Sequence, residues 1–436
     1  MSRSLGRAPG FARAPRRLLF AFAVVTSWSS SPLRAADARS NVTLDIEEAA
    51  RRAADASPLV RRARAQLDAV AARKVEADLL LPSNPVVAAS AGPTFTDATS
   101  NAPNVPSSRV TGMTAHLEQT IEVAGQRGTR RNEVARAIDA ARLRARVAEN
   151  ESRARARTAY VAALLAAAQL EAAKRLEELA TKLEGSVETR VATGAASDID
   201  LRLATLERSR IQRDRLELVQ AAGDALSDLR HLLALPPETH LALSTPLAAP
   251  AGDVPALEQA LASARERRAE LQALDAERGE LDAALVRLGR EALPSPTVFV
   301  DVERDRPGEL FARAGIAIPL PFARRKQGEV AATRAARASV DVERTLGEAA
   351  VVLEVERAWR EARNRRAQVE IDEKLVVPSA EAALDLLTQG WRSGKFDLFR
   401  IIQASRDAGD ARRRALEDLG RLWQARIELD RTMGAS

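Results

Sequence analysis

The 436-residue sequence contains no cysteine and very few aromatic side chains. Phe, Trp and Tyr together make up 3% of the residues. The absence of cysteine excludes disulfide bonds, thiolate metal ligands and a lipid anchor attached to a cysteine. Ala, Arg, Leu and Glu dominate instead. This mixture favours long helices packed through small side chains over a core built from aromatic residues.

Long apolar runs are also missing. Beyond the N-terminal region the longest run covers about ten residues, around Ala159 to Ala168, and a helix that crosses a bilayer needs about twenty. A membrane-spanning helix is therefore not expected.

The basic excess of the chain is local. Residues 1–35 hold six of the 66 basic side chains and no acidic one, so the remaining 60 basic side chains balance 60 acidic ones. A chain without net charge has no overall field that attracts phosphate, and nucleic-acid binding is not expected.

Residues 1–35 are predicted to be a signal peptide. A basic stretch ends at Arg16 and Arg17, an apolar run covers 18–25, and small residues lead to Ala35. This order is typical of Sec-dependent export, with cleavage after Ala35. The arginine pair leaves a twin-arginine signal as the alternative.

The rest of the chain contains the same pattern twice. Segments 44–85 and 257–296 both read as helices that end in a proline-rich stop, where helices typically terminate. Each is followed by strand-like residues and then by a second long helical pattern. We therefore predict two tandem repeats, 36–235 and 256–436, joined by a proline-rich linker at 236–255.

Each repeat is predicted to contain two strands. Met113, Ala115 and Leu117 alternate with polar residues, and in the second half Val298, Val300 and Val302 alternate with Phe299, Asp301 and Glu303. Alternation with a period of two is typical of strands with one apolar and one polar face. The predicted strands are 85–96, 109–123, 296–304 and 310–320, and residues 97–108 form the loop of the first pair. Three phenylalanines in them are candidates for an interfacial aromatic belt, namely Phe95, Phe299 and Phe311.

Long helices and a sharp turn follow in each half. The patterns 125–185 and 323–390 are helical with few breakers, and Pro378 is a candidate bend. The predicted turns, 190–198 and 390–397, lead into helices that run to about residues 235 and 432. Glycine can supply the left-handed cap that ends each long helix, and Ser197/Asp198 or Asp397 can cap the returning helix.

Such a chain is expected to work as an oligomer. Four strands are too few to close a barrel, and an open sheet edge in lipid leaves backbone groups unpaired. Three chains would supply twelve strands, within the range of outer-membrane barrels. The predicted fold is mainly α with a small β part: a long α-helical barrel plus four β-strands per chain, contributing to a trimeric 12-stranded transmembrane β-barrel.

The order and duplication of these motifs resemble the TolC-type outer-membrane efflux protein family. The resemblance runs from about Thr43 to Met433. It rests on TLDIEEAARRAADASPLVRRARAQL at the start, Asn84-Pro85, LEQTIEVAGQRGTR from Leu117, GIAIPLPFARRKQGE from Gly315, and the glycine–aspartate spacing of both turns. The motifs LEQTIEVAGQRGTR and IPLPFARRKQGE look most like the CzcC-type branch, which serves heavy-metal efflux pumps.

This resemblance implies a homotrimer in the outer membrane, with the helical part in the periplasm. It implies docking on an inner-membrane pump of the resistance-nodulation-division (RND) class through a periplasmic adaptor (membrane fusion) protein. The helix turns would form the periplasmic tip, which meets the adaptor and closes the resting channel. The tip residues carried over are Val191, Gly194, Ser197, Asp198, Trp391, Gly394, Lys395 and Asp397. The family often has an aromatic residue shortly before the tip glycine, whereas this chain has Arg190 in the first half and Trp391 in the second.

The expected function is therefore the outer-membrane channel of a tripartite efflux system for heavy-metal cations. The alternatives are drug or small-molecule efflux, or secretion, by a channel of the same fold. A periplasmic coiled-coil adaptor is less favoured, because it would carry one helical hairpin flanked by a lipoyl-like β-domain.

Chemistry by the chain itself is not expected. The sequence has no triad-like order, phosphate loop or cofactor motif, which argues against an exported enzyme and against a cofactor. His116, His231 and His240 have no partner four residues away, so no metal site is predicted. Asp198 and Asp397 either form acidic rings that select cations or simply cap their helices.

Overall fold

The computed structural model describes residues 41–95, 109–306 and 309–435. The predicted signal peptide (1–35) and the predicted loop (97–108) lie outside the described residues. The helices are α1 (Ile46–Ala56), α2 (Pro58–Ala77), α3 (Gln126–Ala192), α4 (Asp198–Leu232), α5 (Leu257–Arg267), α6 (Ala269–Glu291), α7 (Gln327–Ile371), α8 (Val377–Arg392) and α9 (Leu398–Thr432). The strands are β1 (Asn41–Leu44), β2 (Val86–Phe95), β3 (Arg109–Thr120), β4 (His240–Leu243), β5 (Thr297–Arg306) and β6 (Glu309–Ala317). Within these ranges no helix is both long enough and apolar enough to cross a membrane.

Two short strands were not predicted. β1 and β4 pair in parallel, with Asn41 opposite His240 and Leu44 opposite Leu243. The count of four strands is therefore wrong for the described residues, and β4 lies inside the predicted linker. Each of these strands has only four residues, which is too few to produce a recognisable alternation.

The β1–β4 pair is fixed to the helices by the single tyrosine of the chain. The fully buried Tyr160 hydroxyl on α3 donates to the Leu44 carbonyl oxygen at 2.8 Å. It also accepts from the Thr245 backbone N–H at 3.1 Å. Most other buried side chains of α3 are alanines, so the helices pack closely through small residues, as the composition predicts.

The four longer strands form one antiparallel sheet in the order β2-β3-β5-β6. Cross-strand partners share a face, so the register sorts the side chains into two sets. The mostly apolar face carries Val87, Ala89, Ala91, Pro93, Met113, Ala115, Leu117, Val298, Val300, Val302, Ala312, Ala314 and Ile316, with Thr111, Gln119 and Arg304 near the strand ends. The polar face carries Ser90, Thr114, His116, Glu118, Thr120, Thr297, Asp301, Glu303 and Arg313.

The aromatic residues of this sheet do not form the suggested belt. Phe299 pairs with Glu118, and Phe311 pairs with Glu303. Both rings therefore lie on the polar face, opposite the face on which an interfacial belt would have to lie. The side chain of Phe95 lies outside the described residues.

Neither face of the sheet is covered by another described part of the chain. On the apolar face Val87 is 75% exposed and Ile316 is 67% exposed. On the polar face, Phe311 is 53% exposed. A sheet in a water-soluble monomer would bury its apolar face against a second layer, and this sheet has none.

The helices that adjoin the sheet lie side by side in the same order as the strands. Asp78 at the end of α2 pairs with Arg131 of α3 at 2.8 Å. Arg287 of α6 pairs with Glu133 of α3, and Asp282 of α6 pairs with Arg337 of α7 at 2.5 Å. The order is therefore α2-α3-α6-α7, with α2 and α7 at the outer edges.

The second long helix is interrupted, whereas the first is not. Residues Asp372–Val376 form one π-helical turn between α7 and α8, which ends two residues before Pro378. Proline lacks an N–H, and its ring collides with the carbonyl four residues earlier, so a wider turn relieves the clash. The candidate bend at Pro378 thus coincides with a change in helix geometry.

Candidate functional site at the two helix turns

The turns that join α3 to α4 and α8 to α9 have the same backbone design. Gly194 (φ 74°) and Gly394 (φ 76°) both adopt the left-handed conformation. In the first turn, the N–H groups of Gly194 and Ala195 donate to Val191 and Arg190 at 2.9 and 2.8 Å. The second turn repeats both bonds exactly 200 residues later, with the same two distances. This is the Schellman motif, which ends a helix sharply and favours glycine.

The returning helices begin at different caps. Ser197 Oγ accepts from the Asp200 N–H at 3.2 Å, and Asp200 accepts in return from the Ser197 N–H at 3.0 Å, completing a capping box. Asp397 Oδ1 accepts from the Arg400 N–H at 2.9 Å. Capping by Ser197 and by Asp397 therefore agrees with the sequence.

Asp198 has a different position from Asp397. It is the first residue of α4 rather than its cap, and its side chain is exposed. Its carboxylate makes no hydrogen bond or ion pair with another described residue, whereas the Asp397 carboxylate is occupied by the helix start. Of the two alternatives raised by the sequence, capping fits Asp397, and only Asp198 keeps a free carboxylate at the turn.

The two turns are tied to each other by an arginine that the sequence did not single out for this role. The Arg190 guanidinium lies 4.1 Å from the centroid of the Trp391 ring. Its Nη2 donates to the carbonyl oxygens of Trp391 and Arg392, both at 3.1 Å. Arg190 therefore places a positive charge on the C-terminal end of α8, where it is favourable, and stacks on the last aromatic ring of that helix. Arg190, which stands where the resemblance leads one to expect an aromatic residue, is thus in contact with Trp391, the aromatic residue of the second turn.

An apolar cluster lies directly behind both turns. Its buried members come from both helical hairpins: Val187, Ala204, Trp391, Leu398, Ile401 and Ile402. Trp391 is only 7% exposed, and Val191 packs against the cluster. Further along, Arg406 of α9 donates to the buried Glu207 of α4, and these hydrogen bonds raise the pKa of Arg406. The turns therefore behave as one packed unit.

The outer surface of this unit carries the remaining predicted residues and two that were missed. Gly194, Ser197, Gly394 and Lys395 are exposed. So are two large apolar side chains at matching positions of the returning helices, Ile199 (70% exposed) and Phe399 (64% exposed). Their equal spacing from the two glycines could have identified them in the sequence.

Similar folds occur in known outer-membrane channels. The Campylobacter jejuni CmeC outer membrane channel superposes with a TM-score of 0.70 over 89% of this chain and 85% of that one, at 13% identity. The open state of the Neisseria gonorrhoeae MtrE outer membrane channel gives a TM-score of 0.68 over 89% and 88%, at 14% identity. The chain therefore has the fold of a TolC-type outer-membrane channel protein.

A curated relative is similar in sequence as well. The cobalt-zinc-cadmium resistance protein CzcC of Cupriavidus metallidurans is 28% identical over 330 residues, which cover 74% of this chain and 77% of that protein. No protein-family model matches the sequence. The predicted resemblance to the TolC-type family, and within it to CzcC, is confirmed. These similar proteins are channels and a resistance protein rather than enzymes.

The contact between Arg190 and Trp391 gives the first prediction. Replacing Arg190→Ala removes a cation–π contact and two hydrogen bonds, which together are worth about 1–2 kcal/mol. Amide hydrogens of 390–397 should then exchange about 5–30 times faster, the factor that this energy represents. Hydrogen exchange followed by mass spectrometry measures it.

Two matched variants interpret the result. Arg190→Lys keeps the charge but not the planar fork, and should restore only part of the protection. Arg392→Ala removes an exposed arginine of the same turn and should change little. Equal effects of Arg190→Ala and Arg392→Ala would show that Arg190 does not hold the turns together.

Proposed function

We propose that this chain is the outer-membrane channel component of a tripartite efflux system. The sheet would span the outer membrane, and the helices would extend into the periplasm towards an adaptor protein and an inner-membrane RND-type pump. The observation that carries the proposal is a four-stranded sheet with one apolar and one polar face, both uncovered, and two open edges.

The two faces suit two different solvents. Apolar side chains dominate one face, on which Gln119 and Arg304 lie near the strand ends, and hydroxyl, carboxylate, imidazole and guanidinium groups dominate the other. On the polar face, Arg313 pairs with Glu303 at 3.0 Å, and Ser90 shares a hydrogen bond with Thr114 at 2.7 Å. An apolar outer face against lipid and a polar inner face against water is the pattern of outer-membrane barrels.

The open edges support closure by further copies of the chain. Among the described residues, β2 and β6 each have a strand neighbour on one side only, and unpaired backbone groups in lipid cost several kcal/mol each. If β6 of one copy pairs with β2 of the next, three copies make a closed sheet of twelve strands.

The internal pairing predicts the register of this closure. Val86 pairs with Glu118 at the start of β2–β3, and Thr297 pairs with Ala317 at the start of β5–β6. The two pairs hold equivalent positions. On its other side, Glu118 of β3 pairs with Phe299 of β5, which lies two residues after Thr297. Ala317 should therefore pair with Ala88 of the next copy, two places beyond Val86. The same step matches Ala314 with Ala91 and keeps apolar and polar faces aligned.

This register gives the second prediction. Because the native chain has no cysteine, the pairs Ala88→Cys/Ala317→Cys and Ala91→Cys/Ala314→Cys should give disulfide-linked dimers and trimers on mild oxidation. Non-reducing gels measure the products. The control Ala88→Cys/Ala314→Cys places its thiols on opposite faces and should stay uncrosslinked. Crosslinking of the control alone, or of no pair, would contradict the register.

The helices at the edges support the same arrangement. Gln126 and Gln327 hold equivalent places: each follows a left-handed residue, and its side-chain oxygen accepts a backbone N–H two residues earlier, at 2.9 and 2.8 Å. Seven residues after these two glutamines, the first repeat has Glu133 and the second has Arg334. Glu133 pairs with Arg287, which lies ten residues before Thr297.

The counterpart of Arg287 in the first repeat is Glu76, ten residues before Val86. Arg334 and Glu76 are both exposed in the single chain. In the trimer, Arg334 of one copy should therefore meet Glu76 of the next, an ion pair like Glu133–Arg287 but with the charges exchanged.

A charge-swap experiment tests this pair and is the third prediction. Glu76→Arg or Arg334→Glu alone places like charges together and should lower the temperature at which the trimer dissociates in SDS. The double variant Glu76→Arg/Arg334→Glu should recover most of the loss, since contacting pairs show coupling of about 0.5–3 kcal/mol. A double variant that shows the sum of the single losses would mean that the two residues do not meet.

We propose that the turns contact the adaptor and close the channel, and that their residues form an exposed layer and an inner layer. The exposed layer for the adaptor comprises Gly194, Ser197, Asp198, Gly394, Lys395 and Asp397, to which Ile199 and Phe399 are added. The inner layer, Val191 and Trp391, holds the turns together behind them, because Trp391 is buried. Large apolar side chains that stay exposed at the end of a helical tube favour a protein partner.

The proposed cargo is heavy-metal cations, because the relative in sequence is a cobalt-zinc-cadmium resistance protein. The second candidate is drug or small-molecule efflux. The structurally similar channels have the same fold at a much lower sequence identity than the resistance protein. A shared fold does not determine which substrate a channel conducts.

The fourth prediction tests function and cargo together. The purified protein should run as an SDS-resistant trimer before heating and conduct ions in planar bilayers. Deleting its gene should increase sensitivity to zinc, cobalt and cadmium, and an intact copy should restore resistance. If the deletion increased sensitivity to drugs but not to these metals, the second candidate, drug or small-molecule efflux, would be correct. A soluble monomer without conductance would overturn the channel itself.

A further inference from the structure

A histidine and two carboxylates meet on the polar face of the sheet. His116 and Glu118 lie two residues apart on β3, and Asp301 lies directly opposite His116 on β5. His116 Nδ1 is 2.5 Å from Asp301 Oδ1, and His116 Nε2 is 3.3 Å from Glu118 Oε2. His116 looks isolated in the sequence, because no metal-binding side chain lies four residues before or after it. The strand period and the pairing with β5 bring them together.

The two contacts give the imidazole a defined chemical role. Nδ1–H of His116 donates to the Asp301 carboxylate, and Nε2 lies in salt-bridge contact with the Glu118 carboxylate, so a cation bound at this point would replace the Nε2 proton. A carboxylate behind one ring nitrogen is the usual companion of a histidine that binds metal through the other. The Phe299 ring, stacked at 6.1 Å between centroids, further restricts the imidazole.

The separation of His116 Nε2 and Glu118 Oε2 also fits two ligands of one metal ion. Zinc binds nitrogen and oxygen ligands at about 2.0–2.2 Å in tetrahedral geometry, which sets neighbouring donor atoms about 3.3 Å apart. Nε2 of His116 and Oε2 of Glu118 have this separation already. A divalent cation could therefore bind between them with little rearrangement.

We propose that His116 Nε2 and Glu118 Oε2 form a two-donor site for a divalent transition-metal cation, with Asp301 as the positioning residue. Within the described ranges, no group of three or more such side chains is arranged to hold a metal ion by itself. Water must therefore complete the coordination, and binding is weak and reversible. Weak and reversible binding suits a surface along which cations pass, and does not suit a site that retains them.

The site deepens the proposed function, because the polar face would line the water-filled interior of the channel. Each of three copies would contribute one such site at the same height. The pairing itself lies within one chain, so the site does not depend on the oligomer.

The test uses the purified full-length protein without a histidine tag, and it is the fifth prediction. Zn²⁺ titration calorimetry measures affinity, and pulsed EPR of bound Cu²⁺ detects the remote nitrogen of a coordinated imidazole. The chain has only three histidines, so the signal can be assigned by substitution. His116→Ala should abolish the imidazole signal and weaken Zn²⁺ binding at least tenfold. His231→Ala and His240→Ala should leave both unchanged.

Two further variants separate ligand from positioning residue. Glu118→Gln should weaken Zn²⁺ binding about tenfold while the imidazole signal remains. Asp301→Asn keeps the shape but removes the charge behind the ring, and should weaken binding about 10–100-fold, as loss of such a partner does elsewhere. The control Glu303→Gln, on the same face, should have no effect. Migration as an intact trimer checks that each variant folds.

The outcomes distinguish this site from the proposed channel. An imidazole signal that survives His116→Ala, or Zn²⁺ binding unaffected by Glu118→Gln, would overturn the site while conductance stands. If Zn²⁺ binding depended on His116 but the protein did not conduct ions, the metal site would be supported and the proposed channel function would be refuted.

Discussion

The outer edges of β2 and β6 carry backbone N–H and C=O groups for which the chain's own sheet supplies no partner. This constraint governs the rest of the structure. A soluble protein would cover the apolar face and blunt the edges, yet in the described part of this chain the apolar face, the polar face and both edges are open at once. The proposed closure of the sheet on further copies would satisfy all three conditions, since it would pair the edges, direct apolar side chains to lipid and enclose the polar face around water.

The helices follow from the same constraint. Because the order α2-α3-α6-α7 repeats the order of the strands, any ring that closes the sheet also brings α7 of one copy against α2 of the next. The contact between α3 and α6 inside the chain is the template for that interface. At the far end, the two hairpins are joined differently, through Arg190, Trp391 and the apolar cluster behind them, so the two turns of a chain form one packed unit even though their caps differ.

Sequence reasoning succeeded where the signal is local. The alternation of Met113, Ala115 and Leu117 predicted which side chains share the apolar face, and the glycine spacing predicted both left-handed turns. It failed where the signal depends on distant residues. β1 and β4 are too short to show alternation and exist only because they pair with each other. The Arg190–Trp391 contact joins residues 201 positions apart in sequence, and His116 gains its neighbours only through the register of β3 with β5.

The central claim is that identical chains complete one sheet and one helical tube. A single-particle reconstruction of the purified, detergent-solubilised protein tests it most directly. We expect three copies around one axis, twelve continuous strands with β6 of each copy beside β2 of the next, and α7 against the neighbouring α2. A different number of copies, or particles in which the sheet edges stay open to detergent, would contradict it.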